Sequence, residues 1–431
     1  MTAPATQYPA GPASILPGLL PRLLPHGGGA GPAGLPSHLA RYGPLPALRR
    51  GRQWREALIA EVGEAGLTGR GGAAFPAARK LAAVAAARGS AVVVANGTEG
   101  EPASAKDKVL LARSPHLVID GAVTAGAVTG AGRVVLVVHR AVRGIVDAAA
   151  AERRAARLDE VPVEVRTAAG TFVGGEASAV VNWIERGLPA PTGTPPRLSE
   201  RGLRGAPTLV HNVETLAHLA LIARYGAGWF RSVGTTAEPG SMLVTVLGAV
   251  GDPCVLEIAI GTPLTRILHL AGGAALPLQA FLIGGYSGNW AGAGQVANRL
   301  FSAADLAGLG AAPGAGLIAA LPHDSCGIRE TARVARYLAR QSAGQCGPCV
   351  FGLDAIAGEV ERLAEGGGTD TGLLRRWLAQ VDGRGGCGHP SGAVRLIASA
   401  LTTFRPELTQ HAHGWCCGTR AVLPVPPRRP E

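Results

Sequence analysis

Three cysteines near the C-terminal end of the chain have a spacing that suits a metal ion or an iron–sulfur cluster. Cys346 and Cys349 form a Cys-x-x-Cys pair, and Cys387 follows later within Gly-Gly-Cys-Gly-His. Two thiolates three residues apart on a turn can bind one metal ion or one cluster. His389 offers a further ligand for zinc. The spacing alone supports zinc and an iron–sulfur cluster about equally, with buried thiols that bind nothing as a minor alternative.

Two glycine-rich loops and one turn precede predicted helices and could hold a phosphate-containing ligand. The loops are Gly69–Ala73 and Gly170–Glu176, and the turn is 207–212. Helix N-termini expose unpaired backbone N–H groups and a partial positive charge, which favour an anion. Arg70 and Lys80 would add charge. The first loop has neither Rossmann nor Walker spacing, so a tight turn between two helices is an equal alternative.

A polar turn follows the buried strand predicted at 91–95. Asn96-Gly-Thr-Glu-Gly-Glu-Pro presents an amide, a hydroxyl and the carboxylates of Glu99 and Glu101. Ligands of α/β proteins bind at the carboxyl ends of strands, so this turn is a candidate binding segment, with a solvated loop as the alternative. Taken singly, Glu176 is equally consistent with a first-turn helix acid, and His211 with a capping or core residue.

The segments that must position these residues alternate between strand and helix. Strands predicted at 91–95, 133–138 and 162–166 are separated by helical patterns, which indicates a layered, Rossmann-like α/β domain. Short β-rich runs between 241 and 320 indicate a small α+β module. The predicted domains are a flexible Pro/Gly-rich lead (1–36), a ligand-binding α/β domain (37–238), the small module (239–325), a helical bundle (326–405) and a cysteine-containing tail (406–431).

Composition excludes several classes of protein. Hydrophobic residues form 47% of the 431 residues, which excludes a wholly disordered chain. The net charge is +11, but the basic residues are scattered, so we expect no nucleic-acid partner. Asp120 and Arg133 interrupt the apolar stretch 117–138, so we expect no membrane insertion. The sparse cysteines and the tight Cys-x-x-Cys pair favour a reducing compartment, and we predict a cytoplasmic protein.

In their order along the chain, these motifs resemble those of the NADH-binding flavoprotein subunit of respiratory complex I and of related soluble dehydrogenases and hydrogenases. Leu67-Thr-Gly-Arg-Gly-Gly-Ala-Ala-Phe-Pro is similar to the family's Leu-Arg-Gly-Arg-Gly-Gly-Ala-Gly-Phe-Pro, and Asn96-Gly-Thr-Glu-Gly-Glu-Pro to Asn-Ala-Asp-Glu-Gly-Glu-Pro. Phe172-Val-Gly-Gly-Glu resembles Tyr-Ile-Cys-Gly-Glu, and Pro207-Thr-Leu-Val-His-Asn-Val-Glu-Thr resembles Pro-Thr-Thr-Val-Asn-Asn-Val-Glu-Thr. The resemblance extends from Tyr42 to Leu401.

The resemblance implies FMN and an iron–sulfur cluster as cofactors and NADH or NADPH as the substrate. It also implies a β-grasp-like, SLBB-type fold for the small module and a [4Fe-4S] site in the bundle. Glu101 and Glu176 would be the catalytic residues. The residues implied to bind FMN or the nucleotide are Gly69, Arg70, Gly71, Gly72, Ala73, Phe75, Lys80, Asn96, Thr98, Glu99, Glu101, Phe172, Gly175, Glu176, His211, Asn212 and Thr215.

The cluster motif departs from the family pattern. Alignment with the family's Cys-x-x-Cys-x-x-Cys places Ala343 at the first cysteine, and an alanine cannot bind iron. The cluster is therefore expected to be [3Fe-4S], to be [4Fe-4S] with a ligand from elsewhere, or to be absent. The predicted metal ligands are Cys346, Cys349, Cys387 and Cys416, with Cys326 and Cys417 as alternatives to the last.

The nucleotide-binding residues of the family are also altered. Ala177 and Ala83 replace a glutamate and an aromatic residue, and Thr194-Pro-Pro-Arg197 replaces Lys-Pro-Pro-Phe, whereas Phe75 is retained. Loss of a carboxylate and gain of Arg197 would favour the 2′-phosphate of NADPH. Several losses at one subsite would equally suit a protein that no longer binds a nicotinamide.

The leading hypothesis is an NAD(P)H oxidoreductase that passes a hydride to FMN and single electrons through the cluster to a ferredoxin-like carrier or another redox subunit. The alternative is a non-catalytic electron-relay or scaffold subunit that has lost nicotinamide binding. A third interpretation is a basic α/β protein with a structural zinc ion in its C-terminal bundle.

Overall fold

The chain forms two compact units in a computed structural model that describes residues 18–25, 31–46, 51–193, 195–416 and 418–427. The first unit comprises Met1–Gly97, Asp107–Thr167 and Pro196–Met242, and the second comprises Thr98–Lys106, Ala168–Pro195 and Leu243–Glu431. Residues 1–17 and 26–30 of the predicted flexible lead lie outside the described residues.

Helices and strands alternate along the first half of the chain. In order, they are α1 (Leu35–Tyr42), α2 (Arg52–Ala65), α3 (Ala77–Ala85), β1 (Ala91–Gly97), α4 (Lys106–Arg113), α5 (Pro115–Thr129), β2 (Ala131–Val138), α6 (Arg143–Ala155), β3 (Val163–Thr167), α7 (Ala177–Arg186), β4 (Thr208–Asn212) and α8 (Val213–Phe230). The second half begins with strands and ends with helices. These are β5 (Ser241–Gly248), β6 (Cys254–Ala259), α9 (Leu264–Leu270), β7 (Leu278–Ile283), β8 (Asn289–Gly292), α10 (Ala293–Val296), α11 (Ala303–Leu306), β9 (Leu317–Pro322), α12 (Gly327–Arg340), α13 (Leu353–Ala364), α14 (Gly372–Val381), α15 (His389–Thr403) and α16 (Arg405–Ala412).

The first unit contains a four-stranded parallel sheet in the order β3-β2-β1-β4. β1 and β2 carry near-continuous runs of buried valine and leucine, as expected for parallel strands covered on both faces. The structure therefore confirms the predicted Rossmann-like α/β fold. One local prediction is wrong, because 207–212 is not a turn: Thr208–Asn212 is the strand β4, whose Leu209 and Val210 are buried beside β1.

Two helices of the first unit, α5 and α8, are in close contact at a glycine. A Cβ atom at Gly121 would overlap the carbonyl group of Leu216. α5 is buried along almost its whole length. The absence of a side chain at position 121 therefore allows the two helices to pack backbone against backbone. None of the helices in the described ranges is long and apolar enough to cross a bilayer.

A buried cluster of charged side chains, here called the Asp120 cluster, joins α5 to three other helices of the first unit. Asp120 lies 2.8 Å from Arg153, 2.5 Å from Arg224 and 2.7 Å from Nε2 of His38. Burial alone would raise the pKa of the Asp120 carboxyl, but Arg224, His38 and Arg153 outweigh burial and lower the pKa. The acid that interrupts the apolar stretch is therefore ionised and paired inside the fold.

Part of the predicted flexible lead is packed in the first unit. Arg22 is fully buried, and its guanidinium donates hydrogen bonds to the Phe230 carbonyl (3.0 Å) and to Ser232 Oγ (2.6 Å). The same guanidinium lies 4.0 Å from the centre of the Trp229 ring. These contacts hold Arg22 in place within the predicted lead, whose flexibility otherwise stays a prediction.

The second unit contains a five-stranded mixed sheet in the order β6-β5-β9-β7-β8. β9 runs parallel to β5 and antiparallel to β7, and β7 runs antiparallel to β8. The single helix α9 connects β6 to β7. This arrangement agrees with the β-grasp-like prediction, whereas the SLBB assignment stays a prediction. The short strand β8 was not predicted from the sequence.

The helices α12 to α15 form the predicted helical region, and α16 continues it into the segment predicted as a cysteine-containing tail. Their buried faces join the sheet in one hydrophobic core that contains Leu321, Ile328, Leu338, Ile356 and Leu401. The second unit therefore places the Cys-x-x-Cys segment and the tail on the same core.

Candidate functional site

The glycine loop between α2 and α3 exposes Gly71, Gly72 and Ala73 to solvent. Two backbone N–H groups fix the start of the loop. The N–H of Gly69 donates to the Phe75 carbonyl at 2.9 Å, and the N–H of Arg70 donates to Thr215 Oγ1 at 2.9 Å. Gly72 has a φ of +111°, a conformation that favours glycine. The loop is thus a fixed backbone surface without large side chains.

This loop lies against the carboxyl end of β4. A Cβ atom at Gly71 would be only 3.3 Å from the Cβ of Asn212. Asn212 pairs with Asn96 across the parallel sheet, and its Nδ2 donates to Asp107 at 2.6 Å and to the Asn96 carbonyl at 3.3 Å. Its Oδ1 accepts a hydrogen bond from the N–H of Glu214 and caps α8. The structure therefore brings the first and last motifs of the α/β domain together.

The two basic side chains predicted beside this loop have different environments. Arg70 is buried and donates to Thr68 Oγ1 (2.9 Å) and to the Ser241 carbonyl (3.2 Å), and burial lowers its pKa. Lys80 is half-buried and its Nζ donates to the Val210 carbonyl at 3.1 Å. The Arg70 guanidinium therefore supports the loop from inside the fold, and Lys80 lies nearer to solvent.

His211 is buried beside Ala95 in the sheet. Burial, together with the positive charge of Lys80, lowers the pKa of its imidazole to about 3. Its Nε2 has no hydrogen-bond partner in the part of the chain that the structure describes. A neutral imidazole with an unsatisfied nitrogen, near an exposed glycine loop, fits a site that binds a polar ligand such as FMN.

The second unit holds the other predicted flavin residues. The Ser104 hydroxyl donates to Glu99 at 2.7 Å, and the N–H of Tyr286 donates to Glu101 Oε2 at 3.0 Å. A Cβ atom at Gly100 would be 2.6 Å from the Thr171 carbonyl, and one at Gly175 would be 3.0 Å from Thr98 Oγ1. The turn 98–101 therefore packs closely on the second glycine loop, and both carboxylates are held by neighbouring residues.

Glu176 is the N-cap of α7. Its Oε2 accepts hydrogen bonds from the N–H groups of Ser178 (2.8 Å) and Ala179 (3.0 Å) and from the Ser178 hydroxyl. Phe172 packs its ring against Tyr337 and His389, with centroids 6.1 Å and 5.5 Å away. The Phe172 side chain therefore packs against the core of the second unit, and its predicted cofactor contact stays a prediction.

Cys349 lies in a short π-helix, Pro348–Gly352, and Cys346 lies two residues before it. Burial acts to raise the pKa of the Cys346 thiol, but hydrogen bonds from Gly386 and Cys349 lower it. Burial and the neighbouring Cys346 raise the pKa of Cys349 to about 11, and Cys387 contributes to that shift. Burial also raises the pKa of Cys387. Three mutually interacting thiols with no disulfide fit the protein ligands of a cluster.

Two neighbours of these thiols bear on the choice of metal. The backbone of Ala343 forms a hydrogen bond with Cys349, so the residue at the first-cysteine position lies at the site without a sulfur. The Nε2 of His389 is bonded to the Leu338 carbonyl at 2.9 Å, and burial lowers its pKa. The Nε2 atom of His389 is therefore occupied by a hydrogen bond and is not placed to bind zinc.

The predicted fourth ligand, Cys416, lies in a different group of side chains. Its Sγ, the Sγ of Cys326 and one ring nitrogen of His411 are all within 4.8 Å of one another. Sequence reasoning did not single out His411, and no local signal could have done so, because 85 residues separate it from Cys326. Cys417 lies outside the described residues.

The altered nucleotide residues lie near the surface. Phe75 is 43% exposed, with the Arg79 guanidinium 5.5 Å from the centre of its ring. Ala83 and Arg197 are exposed, and Ala177 is the first residue of α7. Thr194 lies outside the described residues.

Known proteins resemble this chain over most of its length. The family described as Nuo51 FMN-binding domain matches residues 62–221, and the NADH-ubiquinone oxidoreductase-F iron-sulfur binding region matches residues 329–411. The F 1 subunit of the NADH-quinone oxidoreductase of Rhizobium meliloti is 30% identical, over 84% of this chain and 87% of the relative. The F subunit of the Mycobacterium tuberculosis H37Rv enzyme is 31% identical, over 84% of this chain and 85% of the relative.

A solved structure shows the same fold. The NAD+-reducing [NiFe]-hydrogenase in its H2-reduced state matches with a TM-score of 0.77 and 30% identity. The match covers 83% of this chain and 63% of the hydrogenase chain, so this chain spans less than two thirds of that protein. The sequence matches and the ordered glycine-loop, polar-turn and cysteine motifs agree: the chain belongs to the family of NADH-quinone oxidoreductase F subunits.

Proposed function

We propose that this chain oxidises NADH with bound FMN and passes single electrons through an iron–sulfur cluster to another redox subunit. The observation that carries the proposal is the close approach of Gly71 to Asn212, which places the exposed glycine loop against the carboxyl end of the central strands. A ligand bound there would meet backbone N–H groups at the exposed loop beside Asn212. This is the position at which α/β folds bind nucleotides.

The residues of the first unit would bind the phosphate and ring of the flavin. Gly71, Gly72 and Ala73 let the ligand approach the backbone closely, and Lys80 supplies a positive charge. Asn96, His211, Asn212 and Thr215 supply polar groups at the strand ends. His211 stays neutral at physiological pH because its pKa is about 3, so its imidazole offers one N–H donor and one acceptor nitrogen.

Two carboxylates are proposed for the reaction. We assign Glu101 and Glu176 as the catalytic residues, with Thr98, Glu99 and Gly175 as neighbouring cofactor contacts. The N–H of Tyr286 fixes Glu101, and the N-terminus of α7 fixes Glu176. FMN held by these residues would supply the chemistry that couples a two-electron hydride transfer to single-electron transfer. The carboxylates orient the nicotinamide end and exchange protons with solvent.

The thiolates of Cys346, Cys349 and Cys387 would hold the cluster that receives those electrons. The cluster is [3Fe-4S] or [4Fe-4S], depending on whether another ligand takes the place of the sulfur that Ala343 lacks. The acceptor is a ferredoxin-like carrier or a redox subunit, and the basic net charge of +11 favours an acidic one. Thiols without disulfides among the described cysteines support a reducing compartment, the cytoplasm.

An anaerobic spectral titration tests the proposal. Protein reconstituted with FMN, iron and sulfide is titrated separately with NADH and NADPH, and iron and sulfide are counted on the same sample. Bleaching of the flavin by NADH is the expected result, and preferential bleaching by NADPH would assign Arg197 to a 2′-phosphate. A bound flavin that neither nucleotide bleaches would overturn the dehydrogenase proposal in favour of an electron-relay subunit, the function that Ala83 and Ala177 favour.

Two variants test the site itself. Gly71→Val should abolish FMN retention, since its side chain would occupy the space beside Asn212, whereas Gly144→Val on α6 faces open space and should retain FMN. Cys346→Ala should lose iron and sulfide while it retains FMN. Equal FMN retention in the two glycine variants would remove the loop from the site, and unchanged iron in Cys346→Ala would remove that thiol from the cluster.

A further inference from the structure

The second unit gathers four potential metal ligands at the start of α12, away from the predicted cluster motif. The group, here called the Cys326 cluster, consists of Cys326, Glu407, His411 and Cys416. Cys326, Glu407 and His411 are buried. The Sγ of Cys326 lies 3.3 Å from His411 Nε2 and 3.4 Å from Glu407 Oε2. The Cys416 Sγ completes a group whose sulfur and ring-nitrogen atoms lie within 4.8 Å of one another.

We propose that Cys326, His411, Cys416 and Glu407 form a mononuclear zinc site that is separate from the iron–sulfur cluster. Zinc binds thiolate at about 2.3 Å and imidazole at about 2.0–2.1 Å, so two ligand atoms of a tetrahedral site lie about 3.5–3.6 Å apart. The Cys326–His411 and Cys326–Glu407 separations of 3.3 Å and 3.4 Å are close to that edge. Cys416 lies within 4.8 Å of Cys326 and His411, and Glu407 is placed in the site by its contact with Cys326. Two sulfur donors with one imidazole and one carboxylate suit zinc better than calcium or magnesium, which prefer oxygen.

One carboxylate oxygen of the Cys326 cluster is free to bind a cation. Glu407 Oε2 accepts a hydrogen bond from the N–H of Ile328 at 3.0 Å, but Glu407 Oε1 is buried with no hydrogen-bond partner among the described residues. Buried polar atoms without partners are rare in native structures, because leaving them unsatisfied costs free energy. A cation bound by Glu407 would satisfy that oxygen.

The local fold also favours thiolate at Cys326. Cys326 is the N-cap of α12, and its Sγ accepts a hydrogen bond from the N–H of Arg329 at 3.4 Å. The positive end of a helix stabilises a negative charge on its cap. The Cys416 thiol donates to the Gly418 carbonyl at 3.1 Å, so metal binding at this residue replaces the thiol proton, which passes to solvent.

The tail is anchored so that Cys416 stays beside Cys326. A Cβ atom at Gly418 would overlap the carbonyl group of Asp324, so the tail passes directly over the turn that leads to Cys326. Further on, the N–H groups of Val422 and Leu423 donate to Glu330 on α12 at 3.1 Å and 2.7 Å. A zinc ion here would tie α16 and the tail to the start of α12.

The compact spacing distinguishes this site from a site for the iron–sulfur cluster. The ligands of one ion all contact that ion, whereas the thiolates of a cluster bind different iron atoms and lie farther apart. In the described ranges, the Cys326 cluster contains the only cysteine, histidine or acidic trio whose ligand atoms lie within 4.8 Å of one another. Cys416 is therefore assigned to zinc instead of the fourth position of the cluster.

Zinc counting and zinc K-edge X-ray absorption on the holoprotein test this assignment. We expect about one zinc ion per chain, with two sulfur neighbours at about 2.3 Å and two nitrogen or oxygen neighbours at about 2.0 Å. His411→Gln and Cys416→Ser should lose the zinc and keep the wild-type iron and sulfide content. Cys254→Ser, at the half-buried start of β6, is the matched control and should retain both metals.

Three results would overturn the proposal. The first is wild-type holoprotein that contains no zinc and acquires none from added Zn²⁺. The second is a loss of iron and sulfide in Cys416→Ser, which would return this thiol to the cluster. The third is a Cys326–Cys416 disulfide in protein prepared anaerobically with reductant. The absorption measurement uses wild-type protein, so it decides the case even where a variant fails to fold.

Discussion

The Asp120 cluster of the first unit and the Cys326 cluster of the second are both buried and polar, but they differ in the atoms left without a hydrogen-bond partner among the described residues. In the Asp120 cluster that atom is a guanidinium nitrogen, Arg224 Nε, which cannot bind a cation. Both carboxylate oxygens of Asp120 contact basic side chains. In the Cys326 cluster, Glu407 Oε1 and His411 Nδ1 have no hydrogen-bond partner within the described part of the chain. A buried acid surrounded by bases stabilises a fold, whereas thiols, imidazole and carboxylate together present electron pairs to a cation. The difference separates a structural polar cluster from a ligand site.

The largest expected effect on stability comes from removal of the negative charge at the centre of the Asp120 cluster. Asp120→Asn leaves Arg153 and Arg224 as buried charges without their acid, and this should lower the free energy of unfolding by about 3–5 kcal/mol. Urea-induced unfolding measures the change. Asp147→Asn is the control, because its ion pair with Arg143 is exposed and should contribute about 0.3–0.5 kcal/mol. Equal effects of the two variants would show that the Asp120 cluster does not stabilise the fold.

The Cys326 cluster should respond to metal where the Asp120 cluster does not. Zinc at one hundred times its dissociation constant should raise the free energy of unfolding by about 2.7 kcal/mol, since only the folded chain presents the assembled site. Thermal unfolding with and without Zn²⁺ measures the effect. His411→Gln should show no zinc response, while Asp120→Asn should respond as the wild type does. A similar zinc response in His411→Gln would place the ion elsewhere.

The first unit also contains a buried group without a full set of hydrogen bonds, His211, whose Nε2 has no partner among the described residues. Its folded pKa is about 3 against an ordinary value of 6.5. Above pH 6.5 the imidazole is neutral in both the folded and the unfolded state. Below pH 6.5 the unfolded chain binds a proton that the folded chain does not, so the free energy of unfolding decreases as the pH is lowered. By pH 5 the loss from His211 should be about 2 kcal/mol.

The His211→Gln variant checks this in flavin-free protein. The drop in urea midpoint between pH 7 and pH 5 should be smaller in the variant than in the wild type. An identical drop in both proteins would contradict burial of a neutral imidazole at this position.

The smallest expected effect concerns the carboxylate of the Cys326 cluster. Glu407→Gln removes the negative charge but keeps a similar shape, so zinc affinity should fall about tenfold, equivalent to about 1.4 kcal/mol. Competition with a chromophoric chelator measures the affinity. Glu361→Gln, whose carboxylate pairs with Arg336 outside the cluster, should leave affinity unchanged. Unchanged affinity in Glu407→Gln would assign the fourth position to another group.

Sequence reasoning predicted the layered, Rossmann-like α/β domain because apolar runs such as those of β1 and β2 alternate with helical patterns. It misread β4 as a turn, since that strand is short and ends in His211 and Asn212. What makes Thr208–Asn212 a strand is its pairing with β1. That pairing joins segments more than a hundred residues apart in the sequence, and no local sequence pattern indicates it.

The candidate sites show the same division between local and distant signals. The glycine loop and the Cys-x-x-Cys pair are contiguous, so their residue types and spacing indicate their chemistry directly. The Cys326 cluster depends on the tail crossing the turn before α12, and the sequence around His411 carries no sign of that crossing. Arg70 illustrates a third case: its position in the motif was predictable, but the inward direction of its guanidinium was not.

The glycine between α5 and α8 has a consequence for how the gene can vary. Every single-base change in a glycine codon that alters the amino acid introduces a residue with a Cβ atom, or a stop. At Gly121 any such Cβ would overlap the backbone of Leu216. No single-base change that alters residue 121 is therefore tolerated unless the two helices move apart. We expect Gly121 to stay constant while the residues around it vary.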